Sequence, residues 1–370
     1  MAVKKSLFSF LFITGIFLNA QPSSRASGIE ADLPQEIEFR LYFHCYNYPI
    51  DWAALTDLKN NPILNACTTG VTAKELESLQ IPDLEARLQK LQNGKLIRKA
   101  GPGYQLNCPA IIGKKQAELK KLVEEAALQL LPASEKMTRD VAAHLKGHEE
   151  MLYHLVWSLI MDGPVAWDTL EKELIKQLKK ADASISGTIW MSYPNHPYRA
   201  GTNTYGDLKN GAVIITWSLT TPLPPVVHQI IKRHEDELIL SVTTVQPVED
   251  QSLRQALAKY GFVNQKGIGR VNIIDPSSQI AQDFGKISQR FANEVMTHLD
   301  VQQAAKILDV TPVQALVIVF HELCYELLEQ LAAKKILDVP QIVLKAGVGL
   351  DQTYRLVSVV NQRKMNVPDR

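Results

Sequence analysis

The segment that most restricts this chain opens at Pro312. It reads Val313, Ala315, Leu316, Val317, Ile318, Val319, Phe320, and the helical pattern runs on to about Lys335. A surface helix needs only one apolar stripe, whereas a helix that is apolar nearly all round has to be enclosed on every side. The fold must therefore contain a core large enough to bury one long helix, and the rest of the sequence has to supply its walls.

The composition can supply them. The chain has 370 residues, 46% hydrophobic and 21% charged, the balance of an ordinary globular protein. At about 150 residues per domain, this length suggests two or three domains. The formal net charge is +1, and setting aside Lys4 and Lys5 leaves 38 basic against 39 acidic residues. Nothing in that balance attracts nucleic acid or an anionic membrane.

Lys4 and Lys5 open an N-terminus with the three parts of an export leader. Leu7 to Leu18 is apolar except for Ser9, Thr14 and Gly15, and Pro22 closes the run. Cleavage after Ala20 leaves Leu18 at the third position back; cleavage after Ala26 leaves Ser24 there. The run is shorter than the roughly 20 residues a spanning helix needs. Residues 1–26 are thus expected to be a signal peptide and the mature protein soluble, exported, and periplasmic or secreted. Export permits disulfides among Cys45, Cys67, Cys108 and Cys324. Cys67 with Cys108 is the expected pair, since both fall in one small domain, and free buried cysteines are the alternative. Their spacing fits no metal pattern.

After the leader the chain divides into an N-terminal domain (27–112), a helical connector (113–183) and a mixed domain with C-terminal helices (184–370), a helix-rich α+β class. Asp51 caps a first helix pattern with Trp52, Leu55 and Leu58. Thr72 with Glu75 forms a capping box for a second over Thr72–Leu79. A third begins near Pro82 and stops at Asn93-Gly94, and two short strands flank Gly101-Pro102-Gly103. Lys114 to Leu131 places Leu119, Leu122, Val123, Ala126 and Leu130 on one stripe, to be covered within the chain or by a second copy in a homodimer. Pro132 is expected to end that helix. Further helices are expected over 134–161, loosened at Gly147, and over 167–180, strands over 185–193, 211–219, 238–245 and 270–274, and helices over 248–260, 277–299 and 301–308.

Three short helices and a hairpin, carried by the phrase LEARLQKLQNGKLIRKAGPGYQL, resemble a winged-helix domain over residues 50–110. The resemblance implies a fold that bacterial regulators use to grip DNA, the third helix entering the major groove. Here that helix carries Asp83, Glu85, Arg87 and Lys90, which nearly cancel, and only Arg98 and Lys99 on the wing offer phosphate contacts. The resemblance then points to a protein-contact module rather than a nucleic-acid binder. The phrase QQAAKILDVTPVQALVIVF looks like a helix-turn-helix, but its second helix is too apolar for a groove.

Two histidine patterns invite a metal reading. His144, His148 and His154 have the ligand spacing of metzincin proteases, yet Leu145 replaces the general base and Met151 the bending glycine. At about 100° per residue, His154 lies roughly 120° from His148 on an unbroken helix, so the three cannot converge. His148 shares a face with Leu152, Leu155 and Leu159 and reads as a core histidine. His321-Glu322 begins HELCYE, but Tyr325 stands where a second zinc ligand would be. No metal and no cofactor is expected, because phosphate loop, nucleophile elbow and CxxC pair are all missing. The segment WMSYPNHPYRAGTNTY gathers Trp190, Tyr193, His196, Tyr198, Arg199, Asn203 and Tyr205, residue types suited to ligand or protein contact; the competing reading is a strand edge with its turn. The function expected is non-catalytic binding of a protein or small ligand. A hydrolase assembled from scattered residues around His196 or the His144–His154 segment stands as the alternative, and a DNA-binding regulator as the third if the leader is not one.

Overall fold

The computed structural model describes residues 40–44, 54, 57–178, 188–192, 200–207, 211–218, 234, 237, 238, 240, 241, 244–344 and 350–360. The leader expected at 1–26 lies outside them. The class is α+β and helix-rich.

After strand β1 (Arg40–His44), an N-terminal unit comprises α1 (Asn61–Ala66), β2 (Val71–Thr72), α2 (Ala73–Ser78), α3 (Leu84–Asn93), β3 (Ile97–Ala100) and β4 (Gly103–Leu106). Its sheet has the order β2-β4-β3, all antiparallel. The capping box read from the sequence is present: Thr72 Oγ1 accepts from Glu75 N at 3.2 Å and the Glu75 carboxylate accepts from Thr72 N at 2.7 Å. Gly103 is required by close packing, since a Cβ there would stand 2.0 Å from the Val71 carbonyl oxygen. Leu64, Leu76, Leu91, Ile97 and Leu106 form the unit's core.

Strand β5 (Ala110–Ile111) leads into α4 (Gly113–Ala143), a continuous helix of 31 residues. Pro132 does not end it. Proline removes one helical hydrogen bond and crowds the carbonyl four residues back; here Pro132 and Leu128 are both on the solvent side, where water can serve that carbonyl. The helix expected over 134–161 goes beyond loosening at Gly147 and breaks there: the chain turns at 144–148, forms a 3-10 turn at Glu149–Met151, then α5 (Leu152–Leu155) and a π-helix (Val156–Met161). Helix α6 (Pro164–Leu178) follows.

Strand β6 (Thr188–Ser192) pairs with β1 antiparallel and β5 parallel. Strands β7 (Ala200–Asp207) and β8 (Gly211–Ser218) belong to a four-stranded sheet of order β7-β8-β10-β9, where β9 is Asn272–Ile274 and β10 is Val357–Val360. The stretch expected as a strand over 238–245 is helical at its described positions. Leu238 and Ser241, three apart, are buried while Leu240 is exposed, a helical rather than an alternating period. Helix α7 (Gln251–Lys259) covers the sheet's outer face, where Val213, Ile215, Val357 and Val359 form a second core.

The walls of the large core are α4, α6, α8 (Gln279–His298) and α9 (Val301–Leu308), and at its centre runs α10 (Pro312–Ala333), started by a Thr311–Gln314 capping box. Every residue of α10 from Ala315 to Tyr325 is buried. Among the described residues no single helix is long and apolar enough to cross a membrane. The stripe Leu119, Leu122, Val123, Ala126 and Leu130 is covered by this same core, within the chain.

Gly103→Ala tests the packing of the N-terminal unit. Overpacking against backbone should destabilise by about 1–3 kcal/mol, read as a lower urea midpoint and as faster proteolysis within residues 57–106; an unchanged midpoint would contradict the close approach.

Candidate functional site

Among the described residues, a run of buried polar side chains lies along the seam where the 152–162 segment crosses the β7-β8-β10 sheet. Strand alternation decides what the sheet presents. Along β8 and β10, Val213, Ile215, Val357 and Val359 face the outer core, which turns Thr216 and Ser358 toward the helical side. Thr202 on β7 stands directly opposite Thr216 in the register and shares its face.

The helical segment answers with His154, Ser158 and Asp162, spaced by four. In a plain α-helix such positions drift by about 40° per step; the wider turn of the π-helix intervenes between them and holds all three over the sheet. The π turn closes with Asp162 N donating to the Trp157 carbonyl at 2.7 Å, and Ser288 of α8 donates to the Ile160 carbonyl at 2.8 Å. Gly163 lets the chain leave this turn, since a Cβ would sit 2.2 Å from the Leu159 oxygen.

The seam is hydrogen-bonded end to end. His154 Nε2 meets Ser358 Oγ at 2.9 Å and Nδ1 meets Thr216 Oγ1 at 2.7 Å. Thr216 also bonds Ser158, which meets Thr202 Oγ1 at 3.0 Å, and Thr202 bonds Asp162. Asp162 Oδ1 accepts from Trp167 Nε1 at 3.0 Å and lies 3.8 Å from His321 Nε2. His321 Nδ1 stands 2.7 Å from the Val317 carbonyl; a carbonyl only accepts, so this nitrogen carries a proton and Nε2 faces the carboxyl. Both side chains are enclosed, Asp162 4% and His321 2% exposed.

Burial sets the charges. Desolvation drives the His154 pKa down to about 3, so its ring is neutral at ordinary pH. Desolvation raises Asp162 above the usual carboxylate range, opposed by the His321 charge and by hydrogen bonds from Thr202 and Trp167. Trp157 stacks on Tyr325 at 5.3 Å, and Trp167 and Trp190 lie 5.3 and 5.4 Å from the His321 ring. Serine, histidine and aspartate are the parts of a hydrolase, but each side of the His154 ring is occupied by another member of the seam. The arrangement can fix geometry and hold protons.

The histidines tested for zinc are dispersed. His144 packs edge-on to Phe284 at 5.7 Å, and His148, expected in the core, is exposed because the helix breaks before it. The core histidine is His154. Among the described residues no three His, Cys, Asp or Glu side chains are placed to share a metal ion. Of the contact residues proposed from the sequence, Trp190 is 1% exposed in the main core rather than on a recognition surface. Tyr205 lies in β7 opposite Val213, its side chain outside the described residues, as are Tyr193, His196, Tyr198 and Arg199. Cys67 and Cys108 are free thiols, so the bridge expected between them is not formed. Both pack on the N-terminal core, where burial pushes them up to about 11 and about 12 and keeps them protonated and inert.

The third helix of the N-terminal unit, α3, carries a second informative cluster. Arg87 donates to Asp57 Oδ2 at 2.8 Å, to Asn60 Oδ1 at 2.9 Å and to the Pro82 carbonyl at 3.0 Å. Its side chain is 14% exposed. Burial pushes the Asp57 carboxyl up, yet the hydrogen bond and charge of Arg87 outweigh it and hold the group below its ordinary value. What α3 exposes is Glu85, Ala86, Gln89 and Asn93, with Lys90 half-buried beside them.

No protein-family model, curated protein or solved structure matches this chain.

The neutral His154 gives a pH test. Its folded pKa near 3 lies below the unfolded value near 6.5, so unfolding takes up a proton between them. Its contribution is full above about pH 6.5 and is lost as pH falls toward 3, at roughly 1.4 kcal/mol per unit. In thermal unfolding from pH 7 to 4, His154→Gln should show a shallower loss of Tm than the parent. Asp162, with its raised pKa, has the opposite sign, so a slope that steepens in His154→Gln would contradict the assignment.

Proposed function

We propose that this chain is an exported, non-catalytic contact protein whose N-terminal unit is a winged-helix-type module used to hold a protein partner rather than DNA. The observation that carries the reading is the commitment of Arg87. The one arginine of the third helix is held inward by Asp57 and Asn60, and the outward face offers Glu85, Ala86, Gln89 and Asn93 with a single half-buried cation, Lys90. Phosphate contacts dominate DNA affinity, and that face supplies no free guanidinium. The element order of three helices and a β2-β4-β3 sheet supports the module type. Lys4, Lys5 and the apolar run from Leu7 to Leu18 support export. The enclosed, mutually bonded seam around His154 supports a structural role for the residues a hydrolase would need to expose.

Two measurements test this reading. Fluorescence anisotropy with a random-sequence duplex near physiological salt should give binding weaker than about 10⁻⁴ M, the weak end of the range for non-specific DNA binders; micromolar binding with a steep salt dependence would overturn the contact assignment. A reporter active only after export, fused behind residues 1–30, should be active, and an inactive fusion would remove the export half.

A further inference from the structure

The N-terminal unit and the helical body enclose an open groove of about 500 Å³, within the range of ligand sites. Its first wall is the outer face of the β3-β4 hairpin. Ile97 and Leu106 point into the unit's core, so alternation turns the paired Arg98 and Gln105 outward, the Arg98 guanidinium donating to Gln105 Oε1 at 3.2 Å. Its second wall is the first turn of α4, with Lys114 and Lys115, and its third is the end of α9, with Leu308, Asp309 and Val310. Between the walls lie two half-buried apolar side chains, Ile112 and Val310.

The charge of this groove is unbalanced in one direction. Three cations line it against one carboxylate, Asp309. Lysines in a first helical turn oppose the positive end of the helix dipole, where acidic residues are favoured. Helix α4 nonetheless has no acidic residue in its first turn and no side-chain cap. Lys115 is offset in part by donating to the Leu308 carbonyl at 3.0 Å, and Lys114 by Glu118 at 3.6 Å across solvent. Arg98 has its bond to a neutral amide.

We propose that this groove receives an extended acidic peptide segment of a protein partner, carboxylates meeting Arg98 and Lys114 and intervening apolar side chains resting on Ile112 and Val310. An extended peptide presents alternate side chains to opposite sides, which suits a groove where cations stand beside the apolar Ile112 and Val310. The inference rests on the contact-protein reading above and supplies the chemistry of its partner.

The test uses the full chain and a fluorescein-labelled peptide of alternating Glu and Leu, with the Gln/Leu peptide as its uncharged twin. Binding of the Glu/Leu peptide should be saturable and should weaken with added salt, and the Gln/Leu peptide should bind at least about tenfold more weakly. Arg98→Glu and Lys114→Glu, both exposed and folded by circular dichroism, should each weaken it by about threefold to tenfold. Lys121→Glu, the same charge change on the exposed side of α4, should leave it unchanged. Equal binding of the two peptides, an equal loss in Lys121→Glu, no binding to the parent, or full displacement by inorganic polyphosphate at matched charge would each overturn the proposal. Peptide failure without duplex binding removes this groove assignment alone, whereas tight duplex binding removes the contact-protein reading beneath it.

Discussion

A helix that is apolar on every side has to be enclosed on every side, and the described fold is arranged to do that for α10. Helices α4 and α9 lie along it, α6 brings Trp167 edge-on to Phe320 at 4.9 Å, α8 brings Phe291, and β6 closes the remaining side. Burying a large apolar side chain contributes about 1.5–3 kcal/mol, and α10 buries eleven consecutive residues from Ala315 to Tyr325. The polar members of that run had to be accommodated too. His321 is met by the Val317 carbonyl and by Asp162, and Tyr325 donates to the Ala200 carbonyl at 3.1 Å. The seam around His154 is thus continuous with the demand set by α10: where the core meets the sheet, His154, Ser158 and Asp162 are met by Ser358, Thr216 and Thr202 of the strands.

That seam also explains why a π-helix sits in the middle of the molecule. A π turn is less favourable than an α turn, so something must offset it. Keeping His154, Ser158 and Asp162 on one line over Thr202, Thr216 and Ser358 does so, because a buried donor or acceptor left without its partner costs about 1–3 kcal/mol. The Ser288 hydroxyl on the Ile160 carbonyl adds a further fastening from α8. Strands β7, β8 and β10 and helix α8, distant in sequence, are tied to this one irregular segment.

How much of this was legible in the sequence depends on how local each cause is. The Thr72–Glu75 capping box, the Asn93-Gly94 stop, the hairpin around Gly101-Pro102-Gly103 and the all-apolar helix from Pro312 are decided within a few residues, and they are present as read. Pro132 misleads because the proline rule depends on whether the freed carbonyl is exposed, which only the packing decides. The stretch 238–245 misleads because β-branched residues are common in it, while its burial follows a helical period. Strand β10 is four residues long and takes its place at the sheet's centre by pairing with Ile215–Ala212 and Asn272–Ile274, partners no local pattern reveals. The seam left one trace, polar residues every four positions in the otherwise apolar LYHLVWSLIMD, but the hydroxyls that complete it come from strands beginning at 200, 211 and 357.

Strand β6 decides how the N-terminal unit relates to the rest. Its alternation sends Ile189 and Met191 into the unit's core and Trp190 into the core around α10, so one strand is wall to both. A flexible tether would let the two parts move independently; a strand buried on both faces does not, since sliding it would uncover apolar surface on each side at once. Strand β5 pairs with β6 and runs through Ile112 straight into α4, which fixes the start of that helix against the hairpin that carries Arg98. The groove between them is therefore held open before anything enters it. Preformed walls spare a ligand the ordering of the site, so an acidic segment entering there would need to order only itself.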